Sequence, residues 1–269
     1  MVYFQRNQRE TKINVLQKHG HFIHKTVLHC VYSRYTFQYS VSFNFKRIYM
    51  IIEIDNVELY FKTKRILNGI YLKAETGTVT GILGNNGSGK SCLLNIFFGS
   101  LNPKYKLIRI DGKPILKPFY LTKLITYLPQ YHFIPNTIKI KSVFKLFNIS
   151  WDHFISVFET FSIYKNIKFN MLSGGERRLL ETYIILKSDR KIILLDEPFS
   201  HLAPLHIEKV KALISEEKQH KAIIITDHMY RHIVDVSDSL YLIKDGHTKR
   251  IDNLIELEDY KYLSIGALG

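Results

Sequence analysis

Apolar positions recur along the chain with two different periods. From Tyr35 to Phe45 they alternate as Tyr35, Phe37, Tyr39, Val41, Phe43 and Phe45, the two-residue period of a strand with one buried face. Ile51 to Phe61 and Val79 to Leu83 also read as strands, and Leu107 to Ile110 followed by Asp111-Gly112 reads as a strand and its turn. Another apolar run ends at Tyr127-Leu128-Pro129-Gln130. Lys191 to Leu195 and Ala222 to Thr226 are almost continuously apolar, the pattern of parallel strands covered on both faces. Elsewhere the period lengthens. Trp151, Phe154, Ile155, Phe158 and Phe161 fall at helical spacing and predict one apolar stripe on a short helix, a packing face rather than an aromatic ligand platform. Glu176 to Leu186 predicts a further helix. Strands separated by helical segments make this an α/β chain.

A length of 269 residues with 46% apolar content is enough for a sizeable core. Two cysteines, Cys30 and Cys92, exclude a disulfide-rich scaffold, and no opening segment has the apolar length of a signal or membrane span. A cytoplasmic location is therefore expected. The formal charge of +14 is unevenly spread: residues 1–49 hold eight Lys/Arg against the single acid Glu10. Basicity attracts nucleotides, anionic membranes or nucleic acid without choosing among them, so it does not by itself favour nucleic acid as a partner.

Residues 1–49 form a basic aromatic extension with a composition unlike the rest. It is either an added strand or a dispensable segment, including sequence upstream of a translation start at Met50. His19, His21, His24, His29 and Cys30 superficially resemble metal ligands, but they complete no tetrahedral set at structural-zinc spacing and are expected to be surface histidines.

The chemistry lies further on. Gly84-Asn85-Asn86-Gly87-Ser88-Gly89-Lys90-Ser91 joins the strand ending at Leu83 to a helix beginning near Lys90. Between strand and helix, such a loop turns its backbone N–H groups around phosphate oxygens, with the helix N-terminus behind them. Lys90 supplies a point charge to β- and γ-phosphates, and the Ser91 hydroxyl can ligate Mg²⁺. Ser173-Gly174-Gly175 opens a second helix as another anion-binding surface, which needs another nucleotide or the nucleotide of a second copy. Asp196 and Glu197 end a buried strand: Asp196 can hold hydrated Mg²⁺, and Glu197, redirected by Pro198, can polarise water for attack on the γ-phosphate. Gln130, at the end of a core strand, could sense Mg²⁺, water or the γ-phosphate, and His228 after the strand ending at Thr226 could contact the γ-phosphate.

In this order the motifs resemble the nucleotide-binding subunit of the ATP-binding-cassette (ABC) superfamily over roughly residues 51–249. Gly84 through Ser91 resembles the Walker A loop, Gln130 the Q-loop glutamine, Leu172 through Glu176 the signature motif, Ile192 through Glu197 the Walker B strand with its base, and His228 the switch histidine. Tyr60 matches the aromatic residue that stacks on adenine, with Phe61 as its rival, and Cys92 follows the loop serine toward the nucleotide. The resemblance implies an α/β P-loop NTPase fold over residues 50–269, with an antiparallel β-subdomain and a helical signature subdomain at about 131–172.

It also implies an ATPase using ATP and Mg²⁺, in which Glu197, His228, Gln130 and Lys90 carry catalysis and Ser91, Gln130 and Asp196 serve the metal. Two protomers, identical or closely related, would meet head to tail around two ATP molecules and drive a separate integral membrane permease, the subunit lying peripherally on the inner face of the cell membrane. The alternative is a soluble ABC ATPase of nucleic-acid repair, translation or cofactor assembly. Glu176-Arg177-Arg178, Asp196-Glu197-Pro198-Phe199, Thr226-Asp227-His228 and Asp245-Gly246-His247 are similar to the lipopolysaccharide-export ATPases. One departure stands out: after Ser200-His201-Leu202 the superfamily commonly has aspartate, where this chain has Ala203 and then Pro204.

Overall fold

A computed structural model describes residues 49–267. The basic aromatic extension, its alternating Tyr35–Phe45 pattern and its histidines lie outside the described residues, apart from Tyr49.

Two sheets organise the described chain. β1 (Ile51–Phe61), β2 (Lys64–Glu75), β4 (Tyr105–Ile110) and β5 (Lys113–Pro114) form an antiparallel sheet in the order β2-β1-β4-β5. β3 (Val79–Leu83), β6 (Ile125–Leu128), β7 (Ile192–Asp196), β8 (Ala222–Thr226) and β9 (Ser239–Lys244) run parallel, and β10 (His247–Ile251) closes the edge antiparallel, giving β10-β9-β3-β8-β7-β6. Every residue of β3, β7 and β8 is buried, as their continuous apolar runs require. β2 is harder to read from sequence because Asn68-Gly69 interrupts its alternation. From Ile70 onward the period of two returns, with Ile70, Leu72 and Ala74 buried.

The helices fill both faces. α1 (Lys90–Phe98) follows the glycine loop and stops at Gly99, whose φ of 100° lets its N–H cap the Asn95 carbonyl at 2.9 Å. α2 (Ile140–Phe147) and α3 (Trp151–Val157) precede α4 (Gly174–Lys187), while α5 (Pro204–Glu217), α6 (Tyr230–Val236) and α7 (Glu256–Asp259) complete the set. α4 is fixed at its start by a reciprocal cap: the Glu176 N–H donates to Ser173 Oγ, and the Ser173 N–H donates to Glu176 Oε2 at 2.7 Å.

The aromatic stripe predicted as one helix is divided. α3 ends at Val157, whose carbonyl accepts from Lys209 Nζ at 2.6 Å, Phe158 leaves helical geometry, and Phe161 sits in a 3-10 turn over Glu159–Tyr164. The tighter turn keeps the rings together: Phe154 is 5.3 Å from Phe158 and 5.1 Å from Phe161, all fully buried. Each such side chain contributes about 1.5–3 kcal/mol by burial, so packing, not regular helix, preserves the stripe.

Candidate active site

The C-terminal ends of β3, β6, β7 and β8 come to one edge of the parallel sheet, and the turns leaving them carry the candidate residues. Asn85, Asn86 and Gly87 are exposed, whereas Gly84, Gly89 and Lys90 are buried. Gly89 has φ 103°, and a Cβ there would stand 2.7 Å from Leu67 Cδ2, so both backbone and space demand glycine. Lys90 Nζ donates to the carbonyls of Gly84 at 2.7 Å and Asn85 at 3.2 Å, arching the loop over its ammonium. Burial pushes the Lys90 ammonium below its usual pKa, against the pull of Glu197, Asp196 and Asp227.

Ser91 and Asp196 meet across the gap between α1 and β7, with Ser91 Oγ donating to Asp196 Oδ1 at 3.2 Å. The other carboxylate oxygen accepts from Tyr127 OH at 2.9 Å, and Asn95 Nδ2 donates to that phenol oxygen at 3.2 Å. Burial raises the Asp196 pKa, opposed by the hydrogen bonds from Ser91 and Tyr127. A hydroxyl and a carboxylate oxygen converging on the phosphate loop are hard oxygen donors that suit Mg²⁺, an ion that takes few protein ligands beside phosphates and water. Among the described residues no cluster of three or more His, Cys, Asp or Glu could hold a metal alone.

Glu197 departs from strand geometry at φ 55°, unusual for a residue with a Cβ, and its N–H is held by the Thr226 carbonyl at 2.7 Å. That turn aims its carboxylate at Gln130. Gln130 Nε2 and Ser200 Oγ donate to Glu197 Oε2 at 3.1 and 3.2 Å, and His228 Nδ1 lies 3.8 Å from the same oxygen. Behind them, buried Asp227 accepts from the N–H groups of Phe199 at 3.1 Å and Met229 at 3.0 Å; burial raises its carboxyl pKa, and these bonds oppose the rise. Arg178, also buried, donates to the carbonyls of Pro129 at 2.6 Å, Glu197 at 3.0 Å and Asp196.

The structure thus gathers Lys90, Ser91, Gln130, Asp196, Glu197 and His228. Tyr127, Arg178, Ser200 and Asp227 support them; each falls within a stretch the sequence singles out, but none is given a role there. Ser173 and Gly174 are exposed, a Cβ on Gly174 would meet nothing within 4 Å, and one on Gly175 would stand 2.4 Å from the His201 carbonyl oxygen. The second anion surface is therefore open at Ser173-Gly174 and closed behind by backbone.

A cavity of about 440 Å³ adjoins the loop at Asn85–Ser88 and is walled by Arg65, Lys244, Tyr260 and Tyr262. Tyr60 does not line it: its hydroxyl accepts from Arg65 Nε at 2.7 Å, and Arg65 and Lys104 lie 5.3 and 5.4 Å from its ring centre. Phe61 is exposed. Cys92 is half-buried on α1, and burial raises its thiol pKa.

Comparison with known proteins shows the family. Residues 67–200 match the ABC transporter family model. An uncharacterized ABC transporter ATP-binding protein of Methanocaldococcus jannaschii is 32% identical over 215 residues, covering 73% of this chain and 84% of the relative. The lipopolysaccharide export system ATP-binding protein LptB of Haemophilus influenzae is 29% identical over 212 residues, covering 73% and 88%. A solved ATP-binding subunit of an ABC transporter superposes with a TM-score of 0.68 at 18% identity, over 81% of this chain and 96% of that one, a likeness of fold. The chain belongs to the ABC transporter family of ATP-binding, ATP-hydrolysing proteins.

Proposed function

We propose that this chain is the motor subunit of a transporter: a Mg²⁺-dependent ATPase that pairs head to tail with a second copy or a close relative and drives a separate membrane permease. The observation that carries the reading is the convergence of Ser91 with Asp196 and of Gln130 with Glu197 beside one phosphate loop. Lys90 exchanges its loop carbonyls for the β- and γ-phosphates, and the exposed loop amides hold the same oxygens. Ser91 would ligate Mg²⁺, Asp196 would hold it through its water shell and Gln130 would serve it, and the ion would neutralise charge on those oxygens. Glu197 takes a proton from water, whose oxygen attacks the γ-phosphorus as the bond to the β–γ bridging oxygen breaks, leaving ADP and phosphate and returning the proton to solvent. His228, 3.8 Å from the Glu197 oxygen that Gln130 meets, contacts the γ-phosphate, and Tyr60 offers its ring to adenine once Arg65 moves aside.

Pairing is supported by Ser173-Gly174, an open helix N-terminus that would complete the partner's site. Among the described residues no helix is long and apolar enough to cross a membrane. The LptB relatives make lipopolysaccharide-type export one form of this function. Residues 1–49 are proposed to be dispensable for ATP turnover. The deciding experiment retains Glu197→Gln protein with ATP on gently solubilised native membranes, washes with moderate salt, and identifies what remains bound. A stoichiometric integral membrane protein is expected; ribosomes, nucleic acid or a soluble assembly partner without a permease would replace this reading by the soluble ATPase.

A further inference from the structure

Gln130 and Tyr131 span a two-residue gap between two anchors on the same helix. On the near side Arg178 of α4 donates to the Pro129 carbonyl at 2.6 Å. On the far side Glu181, also on α4 and with no exposed surface, accepts from the N–H groups of Phe133 at 2.8 Å and Ile134 at 3.1 Å, and lies 2.9 Å from His132 Nδ1. Positions 178 and 181 are three apart, so both side chains leave one face of the helix. A carboxylate buried this deeply is costly unless its oxygens are occupied, and here two backbone N–H groups and the His132 ring of one short segment occupy them.

The same arginine holds the carbonyls of Asp196 and Glu197, so one guanidinium fixes the backbone on both sides of the Gln130–Glu197 contact. α4 is capped by Ser173, at the end proposed to meet a second copy's nucleotide.

We propose that Arg178 and Glu181 form a clasp through which α4 positions Gln130 on Glu197, so that displacement of the Ser173 end of the helix is felt at the catalytic carboxylate. Both are positioning residues, acting through the backbone they hold. The inference rests on the ATPase reading above, and it assigns Glu181, which belongs to no nucleotide motif, a role in turnover. Because the clasp leaves Lys90 and Ser91 untouched, loosening it lowers kcat and spares KM for ATP.

The test is a double-mutant cycle on the full-length protein, with steady-state ATPase kinetics as readout. His132→Ala removes one contact to Glu181 from a partly exposed side chain, and Glu181→Gln keeps an acceptor for the Phe133 and Ile134 amides while losing the charge. Each should lower kcat about tenfold, the scale of one charge-assisted hydrogen bond, with KM for ATP unchanged. In a Gln130→Ala background the same changes should have no further effect on kcat, since they act through the residue already removed; a merely structural defect would lower kcat again. Losses that multiply, or His132→Ala and Glu181→Gln proteins with wild-type kcat, would overturn the clasp while leaving a Glu197-dependent ATPase standing. Wild-type turnover insensitive to Glu197→Gln would overturn the catalytic reading and the clasp with it.

Discussion

Gln130 donates its carboxamide hydrogen to Glu197 at 3.1 Å, joining the turns that leave two neighbouring parallel strands. The carboxylate that would activate water is held by a neutral donor and by the Ser200 hydroxyl, and His228 stands within reach of the same oxygen. On the proposed reading, incoming nucleotide would share or displace these contacts, and the groups that would sense its γ-phosphate are those that restrain the proposed base.

Arg178 should be among the least replaceable side chains of the described fold. Its guanidinium reaches three backbone carbonyls from a buried position, and a lysine ammonium is a point charge without that fork. Arg178→Lys is expected to destabilise by about 2–4 kcal/mol through unsatisfied buried carbonyls and a poorly compensated charge. A thermal melt should show the loss as a drop of roughly 4–16 °C.

Ala203 offers the opposite opportunity. It occupies the N-cap of α5 with no side-chain hydrogen bond, and Pro204 follows at the first helical position. Ala203→Asp is expected to add about 1 kcal/mol by capping the exposed N–H groups. The melting temperature should rise. If the carboxylate also restores the contact between protomers common in the family, ATP turnover should rise with it under dimer-forming conditions.

Acid stability should depend on Glu217. Burial opposes its ionisation, but hydrogen bonds from Lys187 at 2.8 Å and Lys221 at 2.6 Å outweigh burial and hold its carboxyl below the usual value near 4.5. A depressed folded pKa means the contribution is complete above the unfolded value and is lost as pH falls through the folded one. Urea midpoints of the wild type should therefore hold near neutrality and decline below about pH 4.5. Glu217→Gln should be less stable at neutral pH and show a shallower acid decline; an unchanged acid slope would remove Glu217 from the explanation.

The geometry of Ser91 and Asp196 makes a metal prediction separable from nucleotide binding. Chelation of Mg²⁺ should abolish hydrolysis while a fluorescent ATP analogue still binds through Lys90 and the loop amides. Asp196→Asn should raise the Mg²⁺ concentration needed for half-maximal turnover, and an unaltered requirement would place the metal elsewhere.

The sequence disclosed those parts whose chemistry is local. The glycine loop, the paired acids and the buried strands are contiguous runs in which spacing alone states the requirement, as at Gly89, where φ and Leu67 leave no room for a Cβ. Arg178 and Glu181 were not legible as a pair of anchors, because most of what they hold is main chain, which any sequence supplies, and it lies far off in sequence, at Pro129–Ile134 before them and Asp196–Glu197 after. Tyr127 reads as one more strand aromatic until the fold brings Asp196 beside it. The break at Phe158 was hidden for a related reason: the aromatic spacing survives a change from α to 3-10 turns, so the period reports the packed face and not the hydrogen-bond pattern beneath it.

The most direct measurement is Mg²⁺-dependent phosphate release from ATP by the wild type and Glu197→Gln, with ATP binding measured on the same preparations. The expected result is binding retained in both and turnover lower by at least about a hundredfold in the variant, the scale of a lost general base. Equal turnover in the two proteins would contradict the assignment of Glu197 and, with it, the ATPase built around its contact with Gln130.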